Sequence, residues 1–189
     1  MKIKILTFFL IIVLAAVSIF YDEATKPRTI NPPDIAVMAV DMDPTPAPSI
    51  NTVTLDGKEI SVASMKEDVV LLHFWAQWCS VCLAEFPDLL KLVAESKGRI
   101  GLLAISIDGK REDAESLIKK LGSKGLKVDD PHIYWAWDGT KDISLKMFNT
   151  ISVPETVIID KKRMMVKKAV GSVDWRGDTT RELLYAVSR

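Results

Sequence analysis

The 189 residues suffice for one domain with a packed core and some extra chain, and are short for two. Twenty-five basic residues balance 25 acidic ones, so the formal net charge is zero and nothing favours nucleic acid or an anionic membrane surface as the main partner. Hydrophobic residues make up 48% of the chain, at a mean hydropathy of +0.15, and much of that excess lies at the N-terminus.

Met1 to Lys4 carries two lysines, and Ile5 to Tyr21 is an uncharged, almost wholly apolar run. Its length falls where a signal-peptide core of about 7–15 residues meets a spanning helix of about 17–25. Residues 1–21 therefore read as a signal anchor, with the lysines on the cytoplasmic side and the rest of the chain exported. Cleavage near Ala16-Val17-Ser18 is the alternative, and it would release a soluble periplasmic protein. No Cys follows the run, which disfavours a lipoprotein anchor. A buried core helix is disfavoured by the lack of a polar face. Residues 22–49 hold six of the nine prolines (Pro27, Pro32, Pro33, Pro44, Pro46, Pro48) and read as an extended tether of polyproline character. Residues 50–189 suit one domain.

Within that domain Ile50 to Leu55 alternates apolar and polar, and Asp56-Gly57 signals a hairpin before Ile60 and Val62. Val69 to Trp75 is a continuous apolar run, expected for a strand buried on both faces. A helix is expected from Ser80 to Ser96 with Leu83, Phe86, Leu89, Leu90, Val93 and Ala94 on one side, closed by Gly98. Ile100 to Ile107 is the next buried strand, and Glu112 to Leu121 an amphipathic helix ended by Gly122. His132 to Trp137 reads as a short strand and Asp142 to Phe148 as a short helix. Thr156 to Ile159 and Met164 to Val170 are strands joined by a turn at residues 160–163, and Thr179 to Val187 is the last helix. This alternation implies an α/β fold with a mixed central sheet, helices on both faces, an added N-terminal hairpin and a central helix–strand insertion.

Cys79 and Cys82 are the only cysteines. A secreted disulfide scaffold needs more of them, and a zinc site needs two further ligands that His73 and His132 do not supply at finger-like spacing. No metal and no cofactor beyond the dithiol itself is expected. Cys79 follows a buried strand and opens a helix, where free N–H groups and the helix dipole stabilise a thiolate, the attacking species in disulfide exchange. Cys82, one turn on, can return to release a mixed disulfide.

Phe74-Trp75-Ala76-Gln77-Trp78-Cys79-Ser80-Val81-Cys82 resembles the active-site stretch of thioredoxins. Cys82-Leu83-Ala84-Glu85-Phe86-Pro87 is similar to the exported TlpA/ResA/CcmG branch of that family, as is Gly171 to Trp175. Val153-Pro154-Glu155-Thr156 resembles the cis-proline loop. The likeness runs from about residue 50 to the end. It implies Cys79 as nucleophile, Cys82 as resolving thiol, and Pro154 as a cis-proline whose loop leaves Val153 backbone groups free for an extended substrate strand. It implies that Glu85 tunes the dithiol or shuttles a proton, the alternative being a solvated first-turn acid. Trp78 is expected to shield the site or contact substrate, and Trp75 to pack beside it or in the plain core. His73 departs from the family pattern, which has Asp or Asn there. It is read either as a satisfied core histidine or as an acceptor of the Cys82 proton. His132 is given no role.

Ser80-Val81 between the cysteines contains no thiolate-stabilising side chain, which points to a reductant of disulfides in exported proteins. The resemblance implies a membrane thiol donor of the DsbD/CcdA kind and apocytochrome c as one substrate. A disulfide oxidase or isomerase is the alternative, and a thiol-based copper-binding protein is an alternative of another class. A peroxidase would need Pro and Thr before its reactive Cys, and Val69 to Cys79 has neither.

Overall fold

The structure is a computed structural model that describes residues 38–189, with side chains from residue 43 onward. The anchor expected over 1–21 and the first part of the tether lie outside the described residues. Among the described residues no helix is long and apolar enough to cross a membrane.

Among the described residues eight strands and three α-helices follow one another. The strands are β1 (Met38–Pro46), β2 (Asn51–Val53), β3 (Glu59–Ser61), β4 (Val69–Trp75), β5 (Ile100–Ser106), β6 (Ile133–Trp137), β7 (Glu155–Ile159) and β8 (Met164–Val170). The helices are α1 (Ser80–Glu95), α2 (Arg111–Ser123) and α3 (Asp178–Val187). Six strands form one sheet in the order β1-β8-β7-β4-β5-β6, while β2 and β3 pair as a separate hairpin. The β4, β5 and β6 ladder is parallel, and β7, β8 and β1 add antiparallel.

All seven residues of β4 and all seven of β5 are buried, as their unbroken apolar sequences require of strands covered on both sides. Side chains alternate across β4. Val69, Leu71 and Trp75 pack with Phe86, Leu89, Leu90 and Val93 of α1, with α2, and with Leu184 of α3. Val70, Leu72 and Phe74 face Ile50, Ile60 and Val62 of the hairpin segment, and Ile143 and Phe148 around a π-helical turn at Asp142–Met147. Two parallel steps in the same direction, β4 to β5 to β6, carry both crossover helices on one face. Both faces are thus covered, as expected, but unevenly: the three described α-helices lie on one side, and the other is covered by the π-helical turn, the hairpin segment and a 3-10 turn at Val62–Ser64.

Two boundaries differ from expectation. The tether expected over 22–49 includes β1, which pairs with β8 at the sheet edge. Its prolines suggest an unpaired chain, yet an edge strand tolerates proline, and Pro44 falls where the register breaks between Asp41 and Thr45. Helix α2 runs through Gly122 to Ser123; Gly122 does not take the left-handed conformation that ends a helix but lies close against Val128, where a Cβ would come within 3.2 Å of its side chain. The turn out of the helix is made instead at Gly125, whose φ of +81° suits glycine.

Candidate active site

Strand β4 ends at Trp75, and the chain turns through Ala76 to Trp78 into α1, with Cys79 as the N-cap residue. Its backbone is extended (φ −87°, ψ 99°), and its Sγ accepts the Cys82 backbone N–H at 3.1 Å. That N–H is one of the donors a helix start leaves without a carbonyl partner. The two sulfurs are joined as a disulfide. Cys82 is fully buried and Cys79 nearly so, its sulfur lying 3.6 Å from the Val153 carbonyl oxygen. The Val153–Pro154 peptide bond is cis. Beside this nearly closed pair, Trp78 is 70% exposed and Ile151 83% exposed.

Buried polar groups hold both sides of the dithiol, and sequence reasoning missed most of them. The Asp108 carboxylate accepts the Gln77 N–H at 2.9 and 3.1 Å and the Ser106 hydroxyl at 2.8 Å, which fixes the loop that presents Cys79. Its place directly beyond a buried strand was the available signal. Opposite, buried Glu155 accepts the Thr150 hydroxyl and pairs with the Lys168 ammonium at 3.0 Å. Lys168 also donates to the Phe148 carbonyl at 2.8 Å, so residues 148–155 are pinned on both sides of Ile151 and Val153.

Beneath the sulfurs lies Glu85, three residues past Cys82 and so on the same inward face of α1. It is buried, which removes the reading of a solvated first-turn acid. One oxygen, Oε2, accepts the Val173 N–H at 3.1 Å and the Trp175 indole N–H at 3.2 Å. The other, Oε1, makes no hydrogen bond and stands 3.5 Å from Nε2 of His73. His73 is fully buried at mid-β4, on the face turned to α1, and its Nε2 is likewise without a hydrogen bond. Its Nδ1 lies 2.9 Å from the hydroxyl of Thr156, its register partner on β7. Phe86 meets the His73 ring edge-on at 5.6 Å.

Burial dominates the electrostatics of this pair. It pushes the Glu85 carboxyl up to about 7, against the pull of the two N–H donors, and pushes the His73 imidazole down to about 3. Below about pH 7 the favoured form is a carboxylic acid beside a neutral imidazole, and above it a carboxylate beside that same neutral ring, rather than an ion pair. The Nε2 of His73 faces Glu85, and it is Glu85 that shares an inward helix face with Cys82. Trp75 is fully buried, with its ring edge-on to Phe86 and Trp135, so it belongs to the core packing below the motif. His132 lies elsewhere, with Nδ1 2.7 Å from a carboxylate oxygen of Glu67.

A nearly closed disulfide at a helix start can open by attack on its rim sulfur, and its buried partner thiol has a carboxyl group one turn away to exchange a proton with. Chemistry of that kind, on a mixed sheet with this topology, defines a thiol–disulfide oxidoreductase of thioredoxin-like fold. The chain belongs to the Redoxin family, which it matches over residues 42–186, and within it groups with the TlpA/ResA/CcmG-like oxidoreductases. It is 27% identical over 126 residues to the thiol-disulfide oxidoreductase ResA of Bacillus cereus, covering 66% of this chain and 68% of that one. With the thiol:disulfide interchange protein DsbE of Pseudomonas aeruginosa it shares 28% identity over 136 residues, 70% of this chain and 69% of the relative. A thioredoxin family thiol:disulfide interchange protein from Chlorobium tepidum has a similar structure. It matches at a TM-score of 0.64 and 25% identity, over 79% of this chain and all of that one.

Proposed function

We propose that the protein is a reductant of disulfides in exported proteins, held at the membrane by residues 1–21 and recharged by a membrane thiol donor of the DsbD/CcdA kind. The observation that carries this direction is the sparse stabilisation of the Cys79 sulfur. Among the described residues the one hydrogen-bond donor to that sulfur, here in its disulfide, is the Cys82 N–H, and Ser80-Val81 between the cysteines brings no cationic or imidazole side chain. A strong oxidant stabilises its reduced, thiolate form and sits near about −120 mV, whereas thioredoxin sits near about −270 mV.

In the proposed cycle the Cys79 thiolate attacks a substrate disulfide, forming a mixed disulfide and releasing one substrate thiolate. The Cys82 thiol passes its proton to the Glu85 carboxylate, and the Cys82 thiolate attacks Cys79 Sγ. That step releases the second substrate thiolate and closes the Cys79–Cys82 bond, so two electrons pass to the substrate. The cis-Pro154 loop presents Val153 backbone groups to an extended substrate, and exposed Trp78 contacts it. The dithiol is the whole redox cofactor in this scheme. Apocytochrome c is the substrate that the resemblance to the TlpA/ResA/CcmG branch implies, and domain export follows from the lysine-flanked apolar run.

The test is the reduction potential of the Cys79–Cys82 couple, equilibrated against glutathione and dithiothreitol. A value of about −220 mV or below is expected. One between about −120 and −180 mV would replace this reading with a disulfide oxidase or isomerase.

A further inference from the structure

We propose that His73 is the group that holds the proton of Glu85: the acid carries its hydrogen on Oε1 and donates it to a bare His73 Nε2, while Nδ1–H donates to the Thr156 hydroxyl. The inference deepens the oxidoreductase reading of this site and rests on it for its catalytic meaning.

The geometry leaves one place for the proton. Oε2 already accepts two N–H donors, from Val173 and Trp175, which can only donate. Protonation there would turn a hydrogen toward those donors. Oε1 is buried and bare, and the atom facing it is His73 Nε2, which is equally buried and bare. A hydrogen on either, turned toward the other, gives both atoms a partner once the 3.5 Å gap closes to hydrogen-bond length, whereas a buried polar atom left unpaired costs roughly 1–3 kcal/mol. With Glu85 protonated, Nε2 must be the acceptor, so the ring hydrogen lies on Nδ1 and points at Thr156. With Glu85 ionised, the arrangement inverts: Nε2–H donates to Oε1, and the Thr156 hydroxyl donates to Nδ1. A threonine hydroxyl can give or accept, so it serves both forms.

The groups around the pair add no competing charge. From α1 the pair meets Phe86, from β7 Thr156, and from the segment after β8 the Val173 N–H and the Trp175 indole. Burial alone lowers His73, and no charged side chain shifts Glu85. His73 is therefore a positioning residue. It gives the Glu85 proton an acceptor, and so sets how readily Glu85 takes the proton of Cys82.

The tautomer of His73 tests this directly, by nitrogen NMR of the oxidised full-length protein labelled at its two histidines. The Nδ1–H form is expected at pH 6, passing to the Nε2–H form as pH rises past the titration of Glu85. Imidazolium is not expected at any pH from 5 to 9. In Glu85→Gln the amide oxygen keeps the two N–H donors and its NH2 faces His73, so the Nδ1–H form should persist to pH 9. If that variant does not fold, the wild-type titration still decides. An imidazolium signal at pH 6, or an Nε2–H tautomer there, would overturn the proposal. On the kinetic side, release of a trapped mixed disulfide at pH 7.5 should slow at least about tenfold in His73→Leu and recover in part in His73→Asn. An unchanged rate in His73→Leu would overturn the catalytic meaning. The NMR readout involves no turnover, so a potential that contradicted the reductant reading would leave the tautomer result standing.

Discussion

Replacing Glu85 by Gln in the oxidised protein removes one buried ionisable group and keeps an acceptor for the N–H groups of Val173 and Trp175. Burial raises that carboxyl from 4.5 to about 7. Below pH 4.5 it is neutral in the folded and unfolded chains alike and imposes no penalty. Between 4.5 and 7 the folded chain keeps a proton that the unfolded chain has lost, so stability falls as pH rises, by about 1.4 kcal/mol per pH unit. Over that interval the loss is roughly 3 kcal/mol, complete once pH exceeds the folded value. His73 acts with the opposite sign. Its imidazole falls from 6.5 to about 3, so between those values the unfolded chain holds the extra proton and stability rises with pH. In the wild type the two slopes cancel from 4.5 to 6.5, and in Glu85→Gln the His73 slope stands alone. Urea unfolding at half-unit pH steps measures this. The unfolding free energy of the variant minus that of the wild type should rise by roughly 3 kcal/mol between pH 4.5 and about 7.5, and stay level on either side. A difference that is flat across that window, or that falls with pH, would show that Glu85 ionises normally in the fold and would refute the reasoning.

Three further outcomes follow from the same structure. Lys168→Met leaves the buried Glu155 carboxylate without its cation and should destabilise the protein by roughly 3–5 kcal/mol in urea unfolding. Adding Glu155→Gln to it should restore more than half, and no recovery would show that the ion pair is not what holds residues 148–155. Asp108→Ala strips the acceptor from the Gln77 N–H and the Ser106 hydroxyl and should cost about 1–3 kcal/mol, while Asp108→Asn, which keeps an acceptor oxygen, costs less. Trp78→Ala should slow reduction of a protein disulfide such as insulin severalfold while leaving reduction of a small linear disulfide nearly unchanged, because Trp78 precedes Cys79 directly and is 70% exposed. Equal slowing of both would place Trp78 in the chemistry instead of in substrate contact.

The parts of the site that were legible in the sequence are those set by local spacing. Cys79 and Cys82 could be placed because a continuous apolar run of strand length gives way to a helix of period 3.6 between Trp75 and Ser80. Glu85 was brought to the dithiol by the family resemblance alone, and only its burial on the face of Cys82, Phe86 and Leu89 removes the reading of a solvated first-turn acid. What the sequence could not display is whatever depends on register between distant strands. His73 meets Thr156 only because β4 and β7 pair antiparallel in one register, and one residue of slip would turn Thr156 to the other face. Val173 and Trp175 reach Glu85 across 88 and 90 residues of sequence separation, through the turn after β8. The strand at Met38–Pro46 was hidden for another reason. Its proline content describes what a central strand cannot hold, whereas its actual place is an edge, where half the backbone groups need no partner.

The substitution of an imidazole for the amide or carboxyl expected at residue 73 becomes intelligible in terms of charge. An acid at that position would put two carboxyl groups side by side in a dry interior, and one would have to stay protonated. An imidazolium would form an ion pair with Glu85, but desolvating both ions costs several kcal/mol each, and burial holds the imidazole far below its ordinary value. A neutral imidazole avoids both costs because it presents one donor and one acceptor, and the hydroxyl of Thr156 complements whichever nitrogen is left. The buried site can then take up or release the proton of Cys82 with a change of only one charge, borne by Glu85. That charge is the same one whose burial lifts the carboxyl into the range where thiols exchange protons at neutral pH.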